Sequence, residues 1–171
     1  MRIETERLLL RKPILKDFDE YWFMKNDESA TKYTGGVTPY SYNERFEMFR
    51  KEWVDTDQNT ELSITIKASD EYIGYCGFIN DNELLYGLKR SAWGHGYGHE
   101  AAKAALHHGF SVLKLPFIVS TVNPENIASE KILQNLGLAF DSTYKESGVL
   151  LNKYILTCQD YLAKQQDKQS P

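Results

Sequence analysis

Cysteine is scarce in this 171-residue chain, with Cys76 and Cys158 the only two. That excludes a disulfide-stapled scaffold, and neither cysteine has the paired spacing of a metal knuckle. A reducing, cytoplasmic setting is expected. Positive charge is also in short supply: 20 Lys and Arg against 24 Asp and Glu leave a formal charge of −4. Without an overall basic field, sequence-independent binding to nucleic acid or to an anionic membrane surface is disfavoured. No segment approaches the roughly 18 uncharged apolar residues of a membrane span. The opening M-R-I-E-T-E-R-L-L-L-R-K alternates charged with apolar residues and offers no signal core. No internal repeat or linker divides the chain. What it does have is 42% hydrophobic residues, enough at this length for one core. Positions 1–157 are therefore expected to form a single domain, followed by a polar tail over 158–171 with a frayed end, Q-Q-D-K-Q-S-P.

The run Leu8-Leu9-Leu10 within 3–12 reads as a first strand stopped by Pro13. Helices are expected over 17–25 and 41–53. Ser41 with Glu44 three residues on is a capping-box signature, and Phe46, Phe49 and Trp53 share one face of the second helix. Stretches 62–67, 72–79 and 83–88, separated by turn residues, read as strands of an antiparallel meander. A glycine stretch then leads into a helix over 98–113. In that helix Ala101, Ala105 and Gly109 form a small-residue stripe suited to close packing on a sheet, with Ala102, Leu106, Phe110 and Leu113 on the adjoining face. A strand over 117–122, a helix over 126–136 closed by Gly137 in the C′ position, and a hairpin of 139–144 with 149–157 complete the chain. The fold class is α/β (α+β): a single mixed, mostly antiparallel sheet of about seven strands flanked by about four helices.

The glycine stretch W-G-H-G-Y-G-H-E-A, positions 93–101, stands where a strand hands over to a helix. The first N–H groups of a helix lack intrahelical partners and carry the positive end of its dipole, so phosphate binds well there. Glycines at 94, 96 and 98 permit φ > 0 and let a ligand approach the backbone. They serve a tight turn equally well. Two common phosphate loops fail on spacing: the dinucleotide fingerprint needs glycine at 99, which is His99, and the P-loop needs G-K-[ST] where Gly98-His99-Glu100 stands. A zinc hydrolase motif beginning at His99-Glu100 needs a second histidine at 103, which is Lys103. No metal is expected.

This stretch resembles the acyl-CoA pyrophosphate loop of the GCN5-related N-acetyltransferases (the GNAT superfamily). In particular it resembles the branch of RimJ/RimL-type ribosomal-protein N-terminal acetyltransferases, where Trp stands at the position of Trp93. Downstream, N-P-E-N-I-A-S-E-K-I-L-Q-N-L-G-L (123–138) matches the family's N-x-x-N-x-A-S signature, one strand later as the family requires. The segment E-L-L-Y-G-L (83–88) and the opening E-T-E-R-L-L-L-R add weaker matches. The resemblance covers nearly the whole chain, with 26–60 poorly constrained.

It implies a GNAT-like acyl-CoA N-acyltransferase fold that uses acetyl-CoA as co-substrate and no metal. The acetyl group would pass to a primary amine, either a protein N-terminal α-amine or an amine-bearing small molecule, by direct attack in a ternary complex. The alternative is a non-catalytic acyl-CoA-binding or sensor domain. The amides of His95, Gly96, Tyr97, Gly98 and His99 are implied to hold the pyrophosphate. The strand around 86–89 is implied to splay from its neighbour, with Leu88 N–H bonding the pantetheine arm or the thioester carbonyl. Asn126 stands at a CoA-contacting position, though its residue type also suits a plain helix cap. Ser129 is implied as proton donor or hydrogen-bond partner of the leaving thiol, and a helix serine can alternatively bond its own i−4 carbonyl. The tyrosine that many members place four residues before the helix-ending glycine is Leu133 here. Glu83 is the candidate base, directly or through water, with Asp81 and Glu146 as substitutes. Tyr33 and Tyr40, beside Gly35-Gly36, are candidates for the acceptor site. A homodimer through sheet edges is compatible with the sequence.

Overall fold

The computed structural model describes residues 2–56 and 60–167. Eight strands form one sheet in the order β1-β2-β3-β4-β5-β6-β8-β7. They are β1 (Arg2–Glu4), β2 (Leu8–Arg11), β3 (Glu61–Ile66), β4 (Tyr72–Ile79), β5 (Glu83–Leu88), β6 (Phe117–Val122), β7 (Ala139–Glu146) and β8 (Val149–Thr157). Every neighbouring pair is antiparallel except β5 and β6, which run parallel. Among the described residues six α-helices cover the sheet: α1 (Phe18–Lys25), α2 (Glu28–Thr31), α3 (Tyr42–Phe49), α4 (Tyr97–Ser111), α5 (Ile127–Asn135) and α6 (Cys158–Asp167). The mixed α/β class expected from the sequence is the one observed.

Two apolar cores lie on opposite faces. One joins Leu62, Ile64, Phe78 and Leu84 of the sheet to Ala101, Ala105 and Leu106 of α4 and Leu133 of α5. The other packs Phe18, Tyr21 and Met24 of α1 with Phe49, Trp53 and Tyr72. Local chemistry sets many element ends. Ser41 and Glu44 form the reciprocal capping box at the start of α3. Gly137, at φ 92°, ends α5 with Leu138 N–H donating to Leu133 O at 3.0 Å. The small-residue stripe of α4 is buried against the sheet, but α4 stops at Ser111, so Leu113 is 41% exposed instead of joining the packed face.

Two expectations about chain course are corrected, and the stretch 26–40 gains a short helix. The single strand over 3–12 is two short strands folded on each other, with Ile3 opposite Leu10. A tight turn separates them, in which Thr5 N–H donates to Leu8 O (3.0 Å) and Leu8 N–H donates to Thr5 Oγ1 (2.8 Å). Within 26–40, Asp27 accepts from the amides of Ser29 and Ala30 and so starts the short α2. Finally, the expected polar tail from 158 is helical as far as Asp167, and Tyr161 packs on the core and stacks on Phe110 with ring centroids 4.7 Å apart. Of the end expected to fray, positions 168–171 lie outside the described residues.

A buried ion pair ties the sheet to the α1 face. Arg11 makes a bidentate bridge to Asp17 (2.8 Å on each arm), and Asp17, 2% exposed, also accepts from Ser63 Oγ (2.8 Å) and Ile14 N–H (3.0 Å). Removing Asp17 leaves the mostly buried Arg11 with only Asp70 (3.1 Å) as a carboxylate partner and strips Ser63 Oγ and Ile14 N–H of their acceptor. Asp17→Ala is therefore expected to lower unfolding stability by about 3 kcal/mol in urea titrations. A loss below about 1 kcal/mol would show the pair to be dispensable.

Candidate active site

The parallel neighbours β5 and β6 share one registered pair, Glu83 opposite Val119. Side chains of β6 reinforce that contact: Ser120 Oγ donates to Leu84 O (2.9 Å) and Thr121 Oγ1 to Glu83 Oε1 (2.8 Å). Beyond it β5 stays paired with β4 as far as Leu88 opposite Gly74, while β6 follows β8. The two strands part. Lys89 N–H donates to Ile73 O (2.9 Å), so odd-numbered residues of β5 turn their backbone groups toward β4. Even-numbered Tyr86 and Leu88 face the gap. The end of β5 is held in place: Trp93 Nε1–H donates to Leu88 O (3.0 Å), and Lys89 Nζ bridges Glu20 (3.0 Å) and Glu71 (2.5 Å).

The glycine loop opens beside this gap. Gly94 and Gly96 have φ of 78° and 77°, and Gly96 is the N-cap of α4. The first intrahelical bond runs from Glu100 N–H to Gly96 O (3.1 Å), so the amides of Tyr97, Gly98 and His99 point out of the helix start. Gly98 differs from the other two glycines. It is helical and buried, and a Cβ there would lie 3.3 Å from Ile132 Cδ1 and 3.5 Å from Leu88 Cδ1. Its bareness brings the helix start close to the end of β5.

A clamp that the sequence reading missed holds the loop. Arg7, from the turn between β1 and β2, donates from Nη1 to His95 O (2.9 Å) and from Nε to Glu100 Oε2 (2.7 Å). Its guanidinium lies 4.7 Å from the centre of the Tyr97 ring, and Tyr97 in turn stacks on exposed His95. Thr5 Oγ1 (2.5 Å) and Arg7 N–H (3.0 Å) also donate to Glu100. Thr5, Arg7 and Glu100 all stand within motifs noted in the sequence, but no spacing rule links positions 5 and 7 to position 100.

On the α5 side, Asn126 Oδ1 accepts from Ser129 N–H (3.2 Å), so this side chain is the N-cap of α5. Ser129 O accepts from the Tyr86 hydroxyl (3.4 Å), which joins α5 to the gap-facing part of β5. Burial pushes the Tyr86 hydroxyl up to about 12, against the opposing effect of Ser129, so it stays protonated and can donate. Leu133 is 1% exposed in the core, with no hydroxyl to offer. Glu83 is the outlying candidate. It sits on the paired side of the gap, five residues and so about 16 Å along β5 from Leu88.

Across the sheet from α4, a small cavity of about 20 Å³ touches Gly87 and Leu88 and is lined by Lys25, Thr31, Thr34 and Tyr75. Tyr33 and Tyr40, the aromatics expected there, are not among its lining residues; Tyr33 instead accepts from Lys32 Nζ (3.0 Å) and Tyr40 is 45% exposed. Burial, helped by Arg45, pulls the Lys25 ammonium below the usual lysine range, and Glu61 opposes the shift. Among the described residues no group of three or more His, Cys, Asp or Glu is placed to hold a metal ion. No described helix is long and apolar enough to cross a membrane.

The Glu100 clamp has a pH signature. Burial raises the carboxyl's pKa, but hydrogen bonds from Thr5 and Arg7 outweigh it and hold the pKa below the ordinary 4.5. A depressed folded-state pKa contributes stability that is present above about 4.5 and is lost as pH falls through the lower folded value. Glu100→Gln is expected to flatten that part of the acid limb in pH-dependent thermal melts. An unchanged acid limb would show that the clamp does not contribute to stability.

With this geometry in place, the comparisons with known proteins are specific. The family profile described as "Acetyltransferase (GNAT) domain" matches residues 7–139. An "uncharacterized N-acetyltransferase p20" of Bacillus licheniformis is 33% identical over 170 residues, covering 90% of this chain and 93% of that protein. A GNAT-family acetyltransferase from Bacillus anthracis superposes with a TM-score of 0.81 at 22% identity, covering 93% of this chain and 99% of the other. The spermidine N-acetyltransferase of Vibrio cholerae, solved with CoA and spermine, gives 0.78 at 19% identity over 92% of this chain and 99% of its own. The glycine loop, the parted strands and the Asn126 cap all lie within the stretch that the profile matches, and this chain belongs to the GNAT acetyltransferase family.

Proposed function

We propose that the chain is an acetyl-CoA-dependent N-acetyltransferase of the RimJ/RimL-like branch, acting in the cytoplasm on a primary amine of a protein N-terminus or a small molecule. One observation carries this reading: the first-turn amides of α4 and the unpaired edge of β5 lie side by side, because Gly98 carries no side chain to hold the helix start off Leu88. The first suits a pyrophosphate and the second an extended arm that hydrogen-bonds like a strand. The segments E-T-E-R-L-L-L-R and W-G-H-G-Y-G-H-E-A support the branch.

In this mechanism the amides of residues 95–99 bind the pyrophosphate, with Arg7 adding positive charge beside them. Leu88 N–H polarises the thioester carbonyl as an oxyanion-type donor, an interaction that supplies roughly 3 kcal/mol in comparable sites. The amine reaches the carbonyl from the cavity side, past Gly87, Tyr75 and Lys25. Ser129 Oγ, with the Tyr86 hydroxyl beside it, hydrogen-bonds the departing thiolate. Glu83 lies about 16 Å along the strand from Leu88, too far for direct contact or a single bridging water, so it takes the amine proton only through a chain of several waters. Cys76 is buried and its thiol is pushed up to about 12 by burial, then by Glu61, so it offers no thiolate for a covalent relay. That favours direct attack in a ternary complex.

The buried Leu133 and the remote Glu83 motivate a second reading, a non-catalytic acyl-CoA sensor. Both readings require acyl-CoA binding, and calorimetry with acetyl-CoA tests it; absence of binding overturns both. Gly96→Val places a β-branched residue at φ 77° and is expected to abolish binding. Ser129→Ala is expected to leave binding unchanged and lower kcat about tenfold or more. Intact turnover would remove Ser129 from the chemistry. Thiol release read with DTNB, over polyamines, other small amines and peptides of varied N-terminus, separates enzyme from sensor.

A further inference from the structure

The recess of about 20 Å³ at Gly87 and Leu88 has room for roughly one small polar group. Its lining includes Lys25, Tyr75, Thr31 and Thr34, and no Asp or Glu, although the whole chain is net negative. The two threonine hydroxyls already donate, Thr31 to Asp27 O (2.8 Å) and Thr34 to Thr31 O (3.4 Å). Lys25 Nζ and the Tyr75 hydroxyl, by contrast, have no hydrogen-bond or ion-pair partner among the described residues. Two other cations on this face of the sheet are engaged: Arg45 donates to the Tyr21 hydroxyl and faces Glu52 at 3.9 Å, and Lys89 bridges Glu20 and Glu71. Lys25 is attracted by Glu61 and repelled by Arg45, and neither of them lines the recess.

The sheet itself places Tyr75. It stands opposite Gly87 in the β4–β5 ladder, so their side-chain positions share the α1 face. A Cβ on Gly87 would lie 2.9 Å from the Tyr75 hydroxyl oxygen and 2.8 Å from its ring carbon Cζ, so a bare residue at 87 lets the phenol lie across β5. The hydroxyl therefore sits over the residue that precedes Leu88, whose N–H is the donor assigned to the thioester carbonyl. A group held by Tyr75 and Lys25 is close to the reacting carbon. Both side chains can donate, and an ammonium can do nothing else. A cation entering this recess would meet an ammonium with no carboxylate in the lining, whereas a carboxylate would meet two free donors.

We propose that the acetyl acceptor is a small aminocarboxylate, a primary amine with a carboxylate a few bonds away, and that Lys25 and the Tyr75 hydroxyl bind that carboxylate. The inference rests on the acetyltransferase function proposed above and narrows its acceptor. Free amino acids qualify, whereas polyamines and peptide N-termini, whose nearest carboxyl is an amide, do not. The neutral amine nitrogen bonds to the carbonyl carbon, the C–S bond breaks, and CoA leaves as the thiol with the proton that the amine gives up. Anchoring the carboxylate holds the amine beside Leu88 for that step.

The test is thiol release from acetyl-CoA, read with DTNB on the full chain, for free amino acids each paired with its amide, for spermidine and for an N-terminally free tetrapeptide. The expected kcat/KM is about tenfold or more higher for the best acid than for its amide, with spermidine and the peptide below that acid. Lys25→Met is expected to raise KM for the acid about tenfold and so erase the gap between acid and amide. Lys25→Arg keeps the charge and is expected to retain part of the preference, and Tyr75→Phe to weaken it by a smaller factor. Circular dichroism and retained acetyl-CoA binding confirm the fold of each variant. An amide, spermidine or the peptide used as well as the best acid overturns the proposal and leaves the acetyltransferase reading standing. An acid preference that survives Lys25→Met overturns it too. If acetyl-CoA binds and no amine releases thiol, both this inference and the enzyme reading fall, and the sensor reading stands.

Discussion

The parting of β5 from β6 after a single registered pair is the constraint around which the rest of this molecule is arranged. A sheet that opens in its middle leaves backbone N–H and C=O groups unmatched, and such groups are costly unless water or a ligand meets them. The chain limits how far the opening spreads. Ser120 and Thr121 hold the closed end with side-chain bonds to Leu84 O and Glu83, and Trp93 satisfies Leu88 O at the open end. Lys89, between Glu20 and Glu71, fixes where β5 stops. Under the function proposed above, the donor groups left facing the gap are those offered to the acyl carrier arm.

The glycine loop is positioned relative to that gap by two different means. Gly98 removes a side chain so that α4 can close on Leu88 and Ile132, while Arg7 and Thr5 reach across from the first hairpin to hold Glu100 and the loop carbonyl of His95. The hairpin is itself held to the sheet through β2, and the Arg11–Asp17 pair anchors β2 to the segment leading into α1. A path of direct contacts therefore runs from the helical layer on one face, through the sheet, to the glycine loop on the other.

The candidate site was legible in parts. The loop at 94–98 and the cap at Asn126 could be read because each depends on residues within a few positions, and the observed geometry places both at helix starts. Leu88 could be placed through the resemblance, and the parting strands give its amide the expected aspect. Glu83 fared differently: its residue type suits a base, yet the strand's rise puts it far from Leu88. The bonds that Arg7 makes to His95, Tyr86 to Ser129 and Lys164 to Gly137 were not found in advance, because each joins residues on different elements, 27 or more positions apart.

By itself the sequence determined the features whose physics is local. These are the capping box at Ser41 and Glu44, the glycine that ends α5, the small-residue stripe of α4 and the three strands of the meander. Each is decided by hydrogen bonds or sterics within one or two helical turns, or by a short apolar run bounded by turn residues. Only the tertiary structure decided that 3–12 doubles back, that 158–167 forms a helix packed on the core, and that β5 and β6 diverge. Those outcomes depend on which apolar faces meet and on polar pairs far apart in the chain, and no short window of residues carries that information.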